Sequence, residues 1–187
     1  MRTALFVTFQ NDALFPATGQ ATVKLLRRLG VELGFPTTQS CCGQMHYNTG
    51  YRTETAKLVR HFVEVFGAYD RIIVPSASCG GLPSEAYAAA AESVGDDDLL
   101  AEVGAITPRV YEVTRFLTDI LDVEGMGAYF PHRVTHHPTC VPRSSASGPT
   151  GCYGRYWAST SSSYPRRRSA AASAAPSRSR TAPSSVP

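Results

Sequence analysis

Short apolar runs of strand length alternate with segments of helical apolar spacing from residue 3 to residue 137. Residues 3–8 and 71–75 are runs typical of buried strands, whereas residues 52–68 repeat apolar positions on one helical face. This alternation favours strands that pair in parallel and are joined by right-handed helical crossovers. The sequence therefore predicts an α/β fold, a parallel sheet with flanking helices.

The remaining elements follow from the same patterns. The first helical face ends at Gly30, a residue typical of helix C-termini. The acidic run 96–98 is interpreted as a solvated turn. The other predicted elements are strands at 32–35 and 133–137 and helices at 21–30, 83–94 and 108–122.

The composition changes abruptly after Cys140. Residues 141–187 are rich in Ser, Ala, Arg and Pro and contain no Leu, Ile, Phe, Lys, Asp or Glu. Such a segment buries too little apolar surface to offset the entropy lost on ordering, so it is predicted to be a disordered tail. Its unopposed arginines account for the net charge of +3, which therefore does not indicate a nucleic-acid partner.

The N-terminal segment carries one basic residue and runs directly into a strand pattern, unlike a secretory signal. No window approaches the roughly twenty apolar residues of a membrane span. These features predict a cytoplasmic protein without a membrane span. Because thiols stay reduced in the cytoplasm, the cysteines are interpreted as metal ligands or redox groups.

Two adjacent cysteines, Cys41 and Cys42, precede Gly43, and a disulfide between such neighbours would close a strained ring. Cys79 and Cys140 also follow predicted strands, so all of these thiols are expected at one sheet edge. Soft thiolates select iron–sulfur clusters, zinc or copper(I). The sequence therefore predicts a metal site at Cys41, Cys42 and Cys79, with Cys140 as a further candidate ligand.

These motifs resemble the cysteine-rich, or CCG, domain family. Its pattern is a lone cysteine, a Cys-Cys-Gly motif and a later Cys-x-x-Cys, and its members include iron–sulfur subunits of glycolate oxidase and proteins of lactate utilisation. The resemblance to the lactate type covers residues 2–140. The matching motifs are Leu-Phe-Val-Thr at 5–8, Ser-Cys-Cys-Gly-Gln at 40–44, Asn-Thr-Gly-Tyr at 48–51, Val-Pro-Ser-Ala-Ser-Cys at 74–79 and His-His-Pro-Thr-Cys at 136–140.

The resemblance implies an iron–sulfur cluster, of the 4Fe–4S type, in a subunit that passes electrons while L-lactate is oxidised to pyruvate. The implied partners are other iron–sulfur subunits of that complex. Phe9 stands where the family has its first cysteine, and Leu82 stands at the second cysteine of Cys-x-x-Cys. His46 is the alternative ligand for the missing thiolate. The rival interpretation is a zinc-binding or metal-free interaction module, or an inactive truncated gene product.

The resemblance also implies a domain organisation. Residues 1–125 correspond to a first cysteine-rich domain, and residues 126–140 to the start of a truncated second one. Residues 163–180 can be encoded by DNA whose shifted frame reads Leu-Pro-Ala-Ala-Glu-Glu-Cys-Cys-Gly-Phe-Gly-Gly, the second motif of the family. The tail at 141–187 is therefore predicted to be a frameshifted product.

Overall fold

The computed structural model describes residues 1–123 and Met126. Four strands form one parallel sheet in the order β2-β1-β3-β4, which confirms the predicted α/β fold class. The predicted strand at 133–137, Cys140 and the tail lie outside the described residues. The strands are β1 (Thr3–Leu5), β2 (Leu33–Gly34), β3 (Arg71–Val74) and β4 (Val110–Glu112).

Helical segments connect and cover the strands. None of those in the described part of the chain is both long and apolar enough to cross a membrane. The α-helices are α1 (Phe9–Leu14), α2 (Pro16–Arg28), α3 (Gln44–Asn48), α4 (Arg52–Phe66), α5 (Ala77–Leu82), α6 (Ala88–Ser93), α7 (Asp97–Ile106) and α8 (Val113–Arg115). A π-helical turn, Pro83–Tyr87, joins α5 to α6, another, Phe116–Ile120, follows α8, and a 3-10 turn, Thr107–Arg109, precedes β4.

One face of the sheet packs on α4, α6 and α7. Phe6, which follows β1, makes edge-on contacts with Phe62 and Phe66 of α4, with ring centroids 5.3 and 5.2 Å apart. Tyr87 joins this cluster through an edge contact with Phe62 at 5.4 Å. These aromatic side chains form the part of the hydrophobic core that lies beneath the carboxyl ends of the strands.

The opposite face is covered by α2 and by the turn after α8. Leu5 and Ile73 lie on this side because successive strand residues point to opposite faces. They pack with Leu26 of α2 and with Phe116 and Leu117, all of which are at most 2% exposed. Burial on both faces explains why β1 and β3 are continuous apolar runs rather than alternating ones.

Two predictions made from the sequence are wrong. The predicted helix at 108–122 contains β4, because Ile72 and Val110 pair in register and the sheet takes Val110–Glu112 as its edge strand. The acidic run at 96–98 is not a turn but the start of α7, where the Asp96 carboxylate accepts a hydrogen bond of 3.0 Å from the Leu99 amide.

The strand order places a crevice between β1 and β3. The chain leaves β1 toward β2 on one side and leaves β3 toward β4 on the other, so the connections diverge at this point. Ligands of open α/β sheets bind in such crevices, outside the carboxyl ends of the strands. The Asn11 side chain donates to the Pro75 carbonyl at 3.2 Å and so links the two segments that border the crevice.

Candidate metal centre

The loop that carries the cysteine pair is attached to the sheet by Gln39. Its side-chain oxygen accepts a hydrogen bond of 2.8 Å from the Val7 amide, and its nitrogen donates to the carbonyls of Pro36 at 2.9 Å and Leu5 at 3.4 Å. Beyond the end of β2, the Gln39 side chain thus makes the hydrogen bonds to the end of β1 and the segment after it that the backbone of a neighbouring strand would otherwise make. This attachment brings the loop to the carboxyl edge of β1.

The loop turns sharply at Gly43, whose φ of +91° lies in the left-handed region. Side chains larger than hydrogen rarely adopt this conformation, so glycine is favoured here although the space around it is open enough for a Cβ atom. The Gly43 amide donates to the Cys41 sulfur at 3.4 Å. The turn therefore sends the chain into α3 and leaves both thiols at the crevice.

Cys79 reaches the same crevice from the other side. The strand β3 ends at Val74, and Cys79 lies in the first turn of α5 after Ser76. The Gly80 amide donates to the Ser76 carbonyl at 2.8 Å, which closes that turn. A Cβ atom at Gly80 would lie 3.5 Å from Val74 and 3.6 Å from Glu112, so α5 packs closely over β3 and β4.

Cys42 and Cys79 meet in a sulfur–sulfur hydrogen bond. The Cys42 thiol donates to Cys79, and this bond is the largest cause that lowers the pKa of Cys79 from 9.0 to about 5. Hydroxyl donors from Thr8, Ser76 and Ser78 lower the pKa of Cys79 further, while burial opposes them. Cys79 is therefore held as a thiolate at neutral pH.

The same contact acts on Cys42 in the opposite direction. The hydrogen bond to Cys79, burial and the negative charge of Cys79 all raise the pKa of the Cys42 thiol far above its ordinary value. Cys42 is 3% exposed and belongs to the core cluster beneath the crevice. In the metal-free chain the pair thus shares one proton, which stays on Cys42.

Tyr87 supports the pair from below. Its side chain is fully buried, and its hydroxyl donates to the Cys42 carbonyl at 3.0 Å. Burial raises the pKa of Tyr87 well above its usual value, and the neighbouring cysteines add to the effect. The phenol therefore stays protonated and serves as a fixed donor to the loop.

Cys41 is half-buried and lines a narrow cleft beside Gln39, His61 and Phe62. The His61 ring does not serve this thiol as a base in the structure. Its Nε2 atom contacts the Thr38 carbonyl at 2.7 Å, and its Nδ1 atom lies 3.9 Å from the Glu64 carboxylate.

His46 follows the cysteine pair in α3. Its Nδ1 atom is buried and has no hydrogen-bond partner among the described residues. An imidazole nitrogen of this kind suits zinc or iron. The structure does not bring it into a common cluster with the cysteines.

The donor set fits a soft metal in its chemistry, because three thiols come from two neighbouring segments at one sheet edge. It falls short in number, since clusters are normally held by about four cysteines. Within residues 1–123 and Met126, no group of three or more Cys, His, Asp and Glu side chains is placed to hold a metal ion. Binding through all three cysteines would therefore require Cys41 to rotate toward the pair.

Position 9 is the first residue of α1, directly after Thr8. The Thr8 hydroxyl is one of the donors that lower the pKa of Cys79. Leu82 is buried at the end of α5 and belongs to the core. Cys140 lies outside the described residues.

Sequence reasoning missed the polar residues that hold the thiols, namely Gln39, Tyr87 and the hydroxyls of Thr8, Ser76 and Ser78. The spacing Ser-x-Ser-Cys at 76–79 was an available signal, because it places two hydroxyl donors within three residues of Cys79. No sequence pattern connects Gln39 or Tyr87 to the cysteines.

Comparison with known proteins agrees with the resemblance. Residues 4–82 match the cysteine-rich domain (CCG). The chain is 42% identical over 141 residues to lactate utilization protein A of Exiguobacterium sp., which covers 73% of this chain and 56% of that protein. The protein of the same name from Geobacillus sp. is 37% identical over 140 residues, covering 75% of this chain and 58% of the relative.

A third relative, lactate utilization protein A of Oceanobacillus iheyensis, is 38% identical over 140 residues. This chain spans little more than half the length of the relatives it matches. No solved structure is significantly similar to it. The matched residues include the Cys-Cys-Gly loop and Cys79, so residues 4–82 of this chain are similar to the cysteine-rich (CCG) domain.

Proposed function

We propose that this chain binds an iron–sulfur cluster, of the 4Fe–4S type, through Cys41, Cys42 and Cys79. The observation that carries the proposal is the pairing of Cys42 with the Cys79 thiolate at the crevice between β1 and β3. A preformed thiolate is what a metal requires of a cysteine ligand. Such a cluster would supply one-electron transfer.

The protein's own residues hold and tune the ligands. The hydroxyls of Thr8, Ser76 and Ser78 stabilise negative charge on the Cys79 sulfur, and Tyr87 fixes the backbone of Cys42. Hydrogen bonds to sulfur and burial are the means by which a protein sets the potential of a bound cluster.

We further propose that the electrons come from oxidation of L-lactate to pyruvate, in a complex with other iron–sulfur subunits. The relatives that carry the name lactate utilization protein A support this assignment. The free thiols of the described residues suit a reducing compartment, so the proposed location is the cytoplasm.

The proposed domain organisation follows the resemblance. Residues 1–125 form the first cysteine-rich domain, residues 126–140 begin a truncated second domain with Cys140 as its cysteine, and residues 141–187 are an out-of-frame tail. The matched part of the chain covers 56% of one relative named lactate utilization protein A. Sequencing the gene between codons 138 and 170 tests the frameshift.

Zinc is the second candidate, favoured by the unpartnered Nδ1 atom of His46 beside the Cys-Cys-Gly turn. Structural zinc sites commonly combine cysteines with histidine. This site would hold the loop in place and carry no electrons, because Zn²⁺ has no redox chemistry.

Anaerobic reconstitution separates these functions. The full chain is incubated with ferrous iron and sulfide, or with zinc, then desalted and assayed for metal, sulfide, visible absorption and EPR. We expect iron and sulfide to be retained with visible charge-transfer absorption, and we expect Cys42→Ser and Cys79→Ser to lose most of both. Cys152→Ser is the matched control and should retain the parent level.

Retention of zinc alone, without iron or sulfide, would show that the site binds zinc rather than an iron–sulfur cluster. Equal metal retention in the parent protein, Cys42→Ser and Cys79→Ser would refute a site at these cysteines.

A further inference from the structure

The cysteine pair has a second chemical capability that needs no metal. The sulfur atoms of Cys42 and Cys79 are in hydrogen-bonding contact although the residues lie in different segments of the chain. Both are free thiols in the structure. A disulfide requires two sulfurs that can approach closely from converging side chains, and this pair already meets side chain to side chain.

The backbones on both sides of the pair are held in place. The Cys42 carbonyl accepts the buried Tyr87 hydroxyl at 3.0 Å, and Gly80, next to Cys79, is closed onto the Ser76 carbonyl at 2.8 Å. Bond formation therefore needs rotation of the two side chains rather than rearrangement of the loops.

The two thiols differ in access. Cys42 is 3% exposed within the core, whereas Cys79 is only partly buried at the mouth of the crevice. An oxidant from solvent consequently meets Cys79 first. Cys42 lies directly behind it, in the position of a resolving cysteine.

We propose that Cys42 and Cys79 form a reversible dithiol–disulfide couple that reacts with hydroperoxides. The Cys79 thiolate attacks a peroxide oxygen, the O–O bond breaks, and the leaving hydroxide takes a proton from solvent and departs as water. This step leaves a sulfenic acid on Cys79. The Cys42 sulfur then attacks that sulfur, the S–O bond breaks, the S–S bond forms, and a second water leaves with the Cys42 proton.

The balance closes with hydrogen peroxide as the oxidant. The thiolate and the thiol lose two electrons in total, and one peroxide, with one proton from solvent, is reduced to two water molecules. A dithiol reductant reverses the bond by exchange. Because no metal takes part, this couple stands or falls separately from the proposed cluster, although the disulfide form would be unable to ligate one.

Peptide mapping of the full, chelator-treated chain tests the couple. After reaction with hydrogen peroxide, alkylation and trypsin digestion, we expect residues 29–52 to be joined to residues 72–109. The number of free thiols should fall by two from the five of the sequence and return on treatment with dithiothreitol.

Substitutions of single cysteines identify the residues that form the disulfide. The link should persist in Cys41→Ser, whose peptide retains Cys42, and should disappear in Cys79→Ser. Thermal unfolding checks that each variant is folded. If a variant is unfolded, the peptide map of the parent protein still shows whether the link forms.

Loss of the link in Cys41→Ser would assign the bond to Cys41 and overturn the proposal. A bond from either peptide to Cys140 or Cys152, or oxidation of Cys79 to sulfinic acid without any link, would overturn it equally.

Discussion

The cysteine loop and the start of α5 supply thiols to the same crevice in opposite electrostatic settings. Cys42 lies in the core and donates a hydrogen bond to Cys79, which raises the pKa of Cys42, whereas Cys79 accepts hydrogen bonds that lower its pKa to about 5. Cys42 and Cys79 therefore differ in protonation, first because Cys42 donates the hydrogen bond between them, and then because Cys42 is buried while Cys79 also accepts from hydroxyls. The difference shows that donor placement decides which cysteine is reactive.

The pH dependence of stability should display this difference most strongly. Cys79 ionises near pH 5 when folded but near pH 9.0 when unfolded, so the unfolded chain binds more protons between these values. The free energy of unfolding of the metal-free chain should therefore rise from pH 5 to 9 and lose this contribution below pH 5. Urea unfolding across this range measures it.

Cys42 acts with the reverse sign. Its folded pKa lies above 9.0, so its contribution is complete below pH 9 and is lost as the unfolded chain ionises above that pH. Cys79→Ser is the control and should flatten the rise between pH 5 and 9. An equal rise in that variant would show that other groups cause it.

The attachment of the cysteine loop should be the next largest effect. In Gln39→Ala the buried Val7 amide loses its acceptor, which costs about 1–3 kcal/mol of unfolding free energy. Gln20→Ala, at an exposed position of α2, is the matched control and should change stability little. If the two variants unfold at the same urea concentration, the loop is not held by Gln39.

A substitution at Cys42 removes the hydrogen bond that links the two thiols. In Cys42→Ala the Cys79 thiolate loses its strongest donor, so its pKa should rise, and a rise of about two units slows alkylation near pH 6 about tenfold. Iodoacetamide labelling of residues 72–109, followed by mass spectrometry, measures the pKa.

Cys42→Ser keeps a hydroxyl donor at the same position and should retain most of the lowered pKa. Should the alanine and serine variants behave alike, the hydrogen bond is not what sets the pKa of Cys79.

The support from Tyr87 should be the smallest effect. Tyr87→Phe keeps the buried ring but removes the donor to the Cys42 carbonyl, at a cost of about 1 kcal/mol. Tyr51→Phe, at a side chain that is 60% exposed, should have almost none. Unfolding midpoints in urea compare the two, and a larger loss from Tyr51→Phe would contradict the role of the buried hydroxyl.

The sequence predicted the strands correctly where both faces of the sheet are buried. The runs at 3–8 and 71–75 are apolar on both faces because helices cover both sides of β1 and β3. The prediction failed at the edge, where β4 is only three residues long and Val110 fits a helical face as well as a strand. A short apolar segment fits the helical period of about 3.6 residues as well as the strand period of about two.

The sequence by itself determined the α/β class and the similarity of residues 4–82 to the cysteine-rich domain, because these depend on local periodicity and on motifs read along the chain. Only the tertiary structure decided that Cys42 pairs with Cys79, while Cys41 lines a separate cleft. It also decided that Thr8, Gln39 and Tyr87 support the pair. Hydrogen bonds and burial depend on distances between segments far apart in sequence, and those distances exist only once the strands have paired.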